Sequence, residues 1–292
     1  MAISAQLGRE HTVEIPQGII AYRERGEGIP ILFVHGGLAN ADLWRNVVPP
    51  LADTGSYRLI APDLPLGSHT RPMRPGTDVA PPGIVTIIVA FLDALGLDRV
   101  VVVANDAGGA ISQMLAADHP DRIAALVLTS CDQYLQFPPR YLKPVRWLAA
   151  VPGLDDPIAR AFRWRLVHGP FFWSVARTPL PPEIRDSYLR PMLDDHRIRR
   201  QLIEFFRGTR PRHTLRAARK LRNFRRPTLI LWGASDPWFS RRGGQRLAAT
   251  IPGAQFGLLP RARTFVPEDA PGELAERVHS FLTAAAAKIT SD

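Results

Sequence analysis

Hydrophobic and polar positions along this 292-residue chain change their period repeatedly, and each change marks an element. Two short alternating runs, His11 to Ile15 and Ile19 to Arg25, flank Pro16-Gln17-Gly18, the pattern of an edge hairpin. Ile31-Leu32-Phe33-Val34 is apolar without interruption, as a strand covered on both faces must be. Leu43 to Leu51 has helical spacing, with Pro49-Pro50 expected to end or bend it. Arg58 to Ala61 reads as a strand, and Ile84, Ile87, Ile88, Phe91, Leu92 and Leu95 give a helix from about Gly83 to Leu95 a wide apolar face. Four consecutive valines, Val100 to Val103, predict another buried strand. A helix from Ala107 to His119 follows at once, with Ile111, Met114 and Leu115 at helical spacing and Pro120 closing it.

Ile123 to Leu128 is a further strand, after which strand patterns stop from Gln136 to about Arg226. Prolines recur there at 138, 139, 144, 152, 157, 170, 179, 181 and 182, and the pieces between them have helical spacing. Strands resume at Thr228 to Leu231, running into Trp232-Gly233, and near Gln255 to Leu259, while Pro267-Glu268-Asp269 opens a last helix. Strands alternating with helices predict an α/β fold. The expected division is a core of residues 1–134 and 227–292 with a helical cap, 135–226, inserted into it.

At 46% hydrophobic residues the chain carries too much apolar material for disorder and enough for one large core. It contains no apolar run of ~18 residues, its first residues lack a signal-peptide core, and its one cysteine, Cys131, has no internal partner. These features lead us to expect a soluble, cytoplasmic protein without membrane contact, monomeric or homodimeric. The net charge of +10 is uneven, since residues 135–226 hold 21 Lys and Arg against 7 Asp and Glu. Such a surface could steer an anionic small molecule, although a solvated Arg-rich helical face is its ordinary meaning. Aromatic-basic interleaving and helix-turn-helix signatures are absent, so nucleic acid is not an expected partner. No cofactor motif or metal-ligand spacing stands in the sequence, and neither is expected.

The chemistry concentrates at Ala104-Asn105-Asp106-Ala107-Gly108-Gly109, between the valine strand and its helix. Small residues around one polar residue suit a sharp strand-turn-helix elbow, which lifts the middle side chain, Asp106, to the carboxyl edge of the sheet beside free helix N–H groups. An aspartate capping an ordinary turn would produce the same six letters. With His35-Gly36-Gly37, the following Trp44-Arg45-Asn46 and Trp232-Gly233-Ala234-Ser235-Asp236, however, the chain resembles the α/β-hydrolase superfamily from Ile19 to about Ala286. Aspartate at the elbow resembles the haloalkane dehalogenase and epoxide hydrolase branch.

That resemblance implies a mostly parallel eight-stranded sheet with an inserted helical cap, and a carboxylate that attacks carbon to form an alkyl-enzyme ester. It assigns the oxyanion hole to the N–H groups of Gly37 and Ala107 and the acidic triad member to Asp236, with Asp132 as the fallback position. His35 is expected to shape its turn. With Trp44, Tyr141, Tyr188, Trp173 and Thr264 it completes the expected substrate-facing set. The frame Arg263-Thr264-Phe265-Val266-Pro267-Glu268-Asp269 places Thr264 where relatives carry the catalytic histidine. A threonine hydroxyl cannot act as a base near neutral pH. Of the eight histidines, His119 and His279 look structural, His11 lies in the hairpin, and His168, His196 and His213 fall in the cap. His69, on a loop leaving the sheet at its carboxyl edge, is therefore the expected substitute base.

Ala107 and Gly37 occupy positions where a dehalogenase would carry tryptophan and a polar residue, so a halide would lose donors. The first expectation is thus an epoxide hydrolase-like enzyme acting through Asp106 on a small, largely apolar substrate, with Tyr141 or Tyr188 polarising the ring oxygen. Two alternatives follow from the missing histidine: a non-hydrolytic cyclisation, elimination or bond-forming step, and a catalytically silent ligand-binding protein.

Overall fold

A computed structural model describes residues 2–149, 151, 153, 157 and 160–290. Pro152 of the proline series lies outside them. Eight strands, β1 (Arg9–Ile15), β2 (Gly18–Arg25), β3 (Ile29–Val34), β4 (Tyr57–Pro62), β5 (Val100–Asp106), β6 (Ile123–Cys131), β7 (Thr228–Gly233) and β8 (Gln255–Leu259), form one sheet in the order β1-β2-β4-β3-β5-β6-β7-β8. The first two pairings, β1 with β2 and β2 with β4, are antiparallel, and the rest are parallel. β5 runs between β3 and β6, with Val101 opposite Ile31 and Ala125. Val100 to Val103 are wholly buried, each contributing about 1.5–3 kcal/mol as an upper estimate.

The helices are α1 (Val48–Ala52), α2 (Pro81–Ala94), α3 (Ala107–Asp118), α4 (Lys143–Ala149), α5 (Arg165–Val175), α6 (Pro182–Asp194), α7 (His196–Gly208), α8 (Pro211–Leu221), α9 (Arg241–Thr250), α10 (Val266–Asp269), α11 (Pro271–Ala284) and α12 (Ala286–Thr290). α3 packs on β5 and β6, and only glycine permits the approach. A Cβ on Gly108 would stand 2.4 Å from the Val34 and His35 carbonyl oxygens, and one on Gly109 would stand 2.3 Å from Cys131 Cβ.

The expected helix from Leu43 to Leu51 is instead two pieces, a 3-10 turn at Ala41–Trp44 and then α1. Pro49 and Pro50 open α1 rather than ending a helix, because the first turn has no N–H bond for proline to break. Between β6 and β7 the described residues hold helices α4 to α8 and no strand. α6 is fastened to the sheet side by polar contacts: Asn40 Nδ2 donates to the Ser187 carbonyl at 3.2 Å, Ser187 Oγ to Asp42 Oδ2 at 2.9 Å, and Ser68 Oγ to the Tyr188 carbonyl at 2.7 Å. Below them Arg45 grips Glu268 with two bonds of 2.6 and 2.7 Å, both side chains buried. No described helix is long and apolar enough to cross a membrane.

Candidate active site

β5 ends where its backbone turns sharply, with Asp106 at φ 54° and ψ −131°. A non-glycine residue there is strained by roughly 1–3 kcal/mol, and the surrounding packing holds it. Gly36 leaves the room this needs, since a Cβ on it would overlap Asp106 Oδ2 at 2.1 Å. The Asp106 carboxyl accepts from Gly37 N–H at 3.2 Å and from the Ala107 N–H, so both expected oxyanion donors point at this carboxyl. Burial pushes Asp106 up to about 6, with the Asp236 charge adding to the rise and the two N–H groups opposing it.

Asp236 leaves β7 on a loop wound around its own carboxylate. Oδ1 accepts from Trp238 N–H at 2.8 Å, Phe239 N–H at 3.0 Å and the Thr264 hydroxyl at 2.7 Å. Burial raises its pKa while these donors pull it back. Thr264 therefore stands in the acid's reach as the histidine frame anticipates, with its proton committed to Asp236. Asn105, which the sequence did not single out, ties the region together: Nδ2 donates to Thr129 Oγ1 at 2.9 Å and to the Thr264 carbonyl at 2.8 Å.

Above Asp106 lies an enclosed, almost wholly apolar cavity. Its free volume of about 70 Å³ leaves room for a small, compact ligand. The walls come largely from the helices between β6 and β7, including Phe171, Met192, Leu202, Phe205 and Phe206, and from Trp238. Asp106, Asp132 and Arg199 are the only ionisable side chains among the described lining residues. Asp132 is 1% exposed, and its Oδ1 has no hydrogen-bond partner. Burial, then the Asp106 charge, holds its pKa well above the usual carboxylate range.

Several expected site residues stand elsewhere. His69 does not line the cavity; its Nε2 meets Gln201 Oε1 at 2.9 Å, and burial lowers its pKa to about 4, so it is a neutral packing group. The loop does leave at the carboxyl edge, but α7 covers the imidazole. Tyr188 is buried with its hydroxyl on Glu268 Oε1 at 3.3 Å, outside the lining. Tyr141 is 55% exposed with its ring against Trp238, and Trp173 is 69% exposed beneath the Arg263 guanidinium. Trp44 is core, packed on Phe33. His35 shapes its turn as anticipated: Nε2 accepts from Leu64 N–H at 2.9 Å, so Nδ1–H donates to the Gly36 carbonyl at 2.8 Å. Burial keeps it neutral, at about 4. Neither His35 nor Thr264 is a lining residue.

Sheet order, elbow and crossover pattern together define the α/β-hydrolase fold, and the alpha/beta hydrolase fold family model matches residues 29–153. Over 285 residues the chain is 29% identical to haloalkane dehalogenase 2 of Mycobacterium tuberculosis, covering 90% of this chain and 91% of that protein. It is 26% identical over 272 residues to the cis-3-alkyl-4-alkyloxetan-2-one decarboxylase of Shewanella oneidensis, covering 90% and 84%. The crystal structure of haloalkane dehalogenase DbeA from Bradyrhizobium elkani superposes with a TM-score of 0.81 at 21% identity, covering 96% of this chain and 99% of that one, a likeness of fold.

Proposed function

We propose that this protein is an α/β-hydrolase-fold enzyme in which the Asp106 carboxylate attacks an electrophilic carbon of a small, largely apolar substrate, opening an epoxide or similarly activated carbon–oxygen bond. The observation that carries this is the placement of Asp106 in a closed apolar cavity with its carboxyl aimed by the Gly37 and Ala107 N–H groups. A fixed, poorly solvated carboxylate is a competent nucleophile toward carbon, because its orientation is set before the substrate arrives. Ester cleavage through a serine or cysteine is not available, since position 106 holds neither.

A second reading, non-hydrolytic bond breaking through the same carboxylate, is supported by Thr264. Its hydroxyl is spent on Asp236 and cannot activate water, and one of the similar proteins is a decarboxylase. Turnover of a panel of small aryl epoxides, haloalkanes and β-lactones, with mass analysis of the peptide containing Asp106, tests both. Diol release with a transient adduct supports the hydrolytic form, and product release without oxygen from water supports the other. Conversion with no adduct and full activity in Asp106→Asn would remove Asp106 from the mechanism.

A further inference from the structure

We propose that Asp132 is the catalytic acid of this cavity, giving its carboxyl proton to the oxygen released when Asp106 attacks carbon. The proposal rests on the reading of Asp106 as nucleophile and supplies what that reading lacks. Opening an epoxide leaves an alkoxide, which is far too basic to persist in an apolar enclosure, so a proton must reach it as the bond breaks.

The cavity narrows the donors sharply. Among the described lining residues only Asp106, Asp132 and Arg199 are ionisable. Asp106 is the attacking group, and an arginine guanidinium does not give up its proton in a protein. The tyrosines and the histidine that the sequence pointed to lie outside the lining. Asp132 has the attributes the role needs. It follows β6 directly beside the elbow, its N–H donating to the Asp106 carbonyl at 3.4 Å and its own carbonyl accepting from Gln113 Nε2 at 2.8 Å. Those contacts fix the backbone of a residue that lines the cavity, and its Oδ1 is buried with no partner. A buried carboxyl beside the negative charge of Asp106, with Asp236 beyond, is held as the neutral acid.

The step balances. An Asp106 oxygen forms a bond to the ring carbon, the carbon–oxygen bond of the ring breaks, its electron pair goes to the ring oxygen, and that oxygen takes the proton from Asp132. Asp132 is then a carboxylate facing the alkyl ester. It can accept a proton from a water attacking the ester carbonyl and return one to the departing alkoxide; Asp106 is then left as the acid, and passing its proton to the Asp132 carboxylate restores both side chains. Asp132 thereby covers proton transfers for which no other lining residue is equipped.

The test compares two electrophiles that differ in what leaves. Styrene oxide needs a proton on its leaving oxygen, whereas 1-bromobutane expels bromide without one. With wild type and Asp132→Asn, the rate of mass addition at the Asp106 peptide is followed for each probe. The expected result is a loss of at least about tenfold with styrene oxide and a change within about twofold with 1-bromobutane, which also reports an intact fold. Asp132→Ser, removing the acid with a smaller side chain, must show the same selectivity. Unchanged styrene oxide rates, or equal losses with both probes in both variants, overturn the proposal. Absence of any adduct at Asp106 with either probe in wild type instead overturns the nucleophile reading, and the acid role falls with it.

Discussion

Asp106 carries two measurable consequences of its burial. Its pKa of about 6 lies above the ordinary carboxylate value because the cavity is dry. Alkylation of Asp106 by 1-bromobutane should therefore be flat above pH 7 and fall by about tenfold per unit well below pH 6, as the nucleophile takes up its proton. Stability runs the other way. Between about pH 4 and 6 the folded state binds a proton here that the unfolded chain does not, so this group favours folding more as pH falls through that window. Asp106→Asn should fold, abolish adduct formation and flatten that part of the stability–pH curve, as denaturant titrations across pH 4–7 would reveal.

Thr264 supports a second experiment at the same scale. Replacing it with histidine places an imidazole within reach of Asp236, at a packing cost of about 1–3 kcal/mol because Thr264 is wholly buried. If hydrolysis is limited by the lack of an oriented base, Thr264→His should shorten the lifetime of the Asp106 ester, read by its decay in a mass time course. An unchanged lifetime would show that deacylation does not wait on that position. The placement of Asp106 beside the Gly37 N–H and of Thr264 beside Asp236 was legible, because each sits in a short motif whose geometry is local. His69, Tyr141 and Trp173 were not placed correctly, since which way a side chain on a loop or surface helix points depends on the element that covers it. Gln201 of α7 decides it for His69.

At the scale of elements, the assignments of β3 to β7 came through because these strands are largely buried on both faces and read as mostly apolar runs. The proline pair at 49 and 50 misled for a physical reason: proline is as compatible with a first helical turn as it is hostile to a later one. The walls of the cavity stayed hidden, because helices α5 to α7 each have an apolar side and the sequence does not say which part of it meets the core and which meets the cavity. Their fastening is more specific. The Arg45–Glu268 pair lies under α6 with the Tyr188 hydroxyl on it. Glu268→Ala should destabilise the fold by about 3–5 kcal/mol in urea titration, because Arg45 would be left charged, buried and unpaired. Glu268→Ala with near wild-type stability would mean the guanidinium finds water or another acceptor.

Across the whole molecule, the basic excess of residues 135–226 resolves largely into solvated faces. Arg190, Arg197 and Arg200 stand exposed beside Asp186, Asp195 and Glu204, where such pairs contribute little. Composition could locate that charge but not say what it meets. The sheet order has a consequence in time rather than in space. β6 is complete at Cys131, its nine residues all buried in the finished fold, yet its neighbour β7 begins at Thr228. Bringing the two edges together across roughly 100 residues costs about 4 kcal/mol of chain entropy before any pairing is regained. As the ribosome delivers the chain from its amino end, β6 therefore spends the synthesis of the helical segment as an open, apolar edge. Nascent chains released at Arg226 should collect in the aggregated fraction, and those extended past Leu259 should remain in solution, which places the hazardous moment of this protein's life at translation and not at the heating of the finished fold.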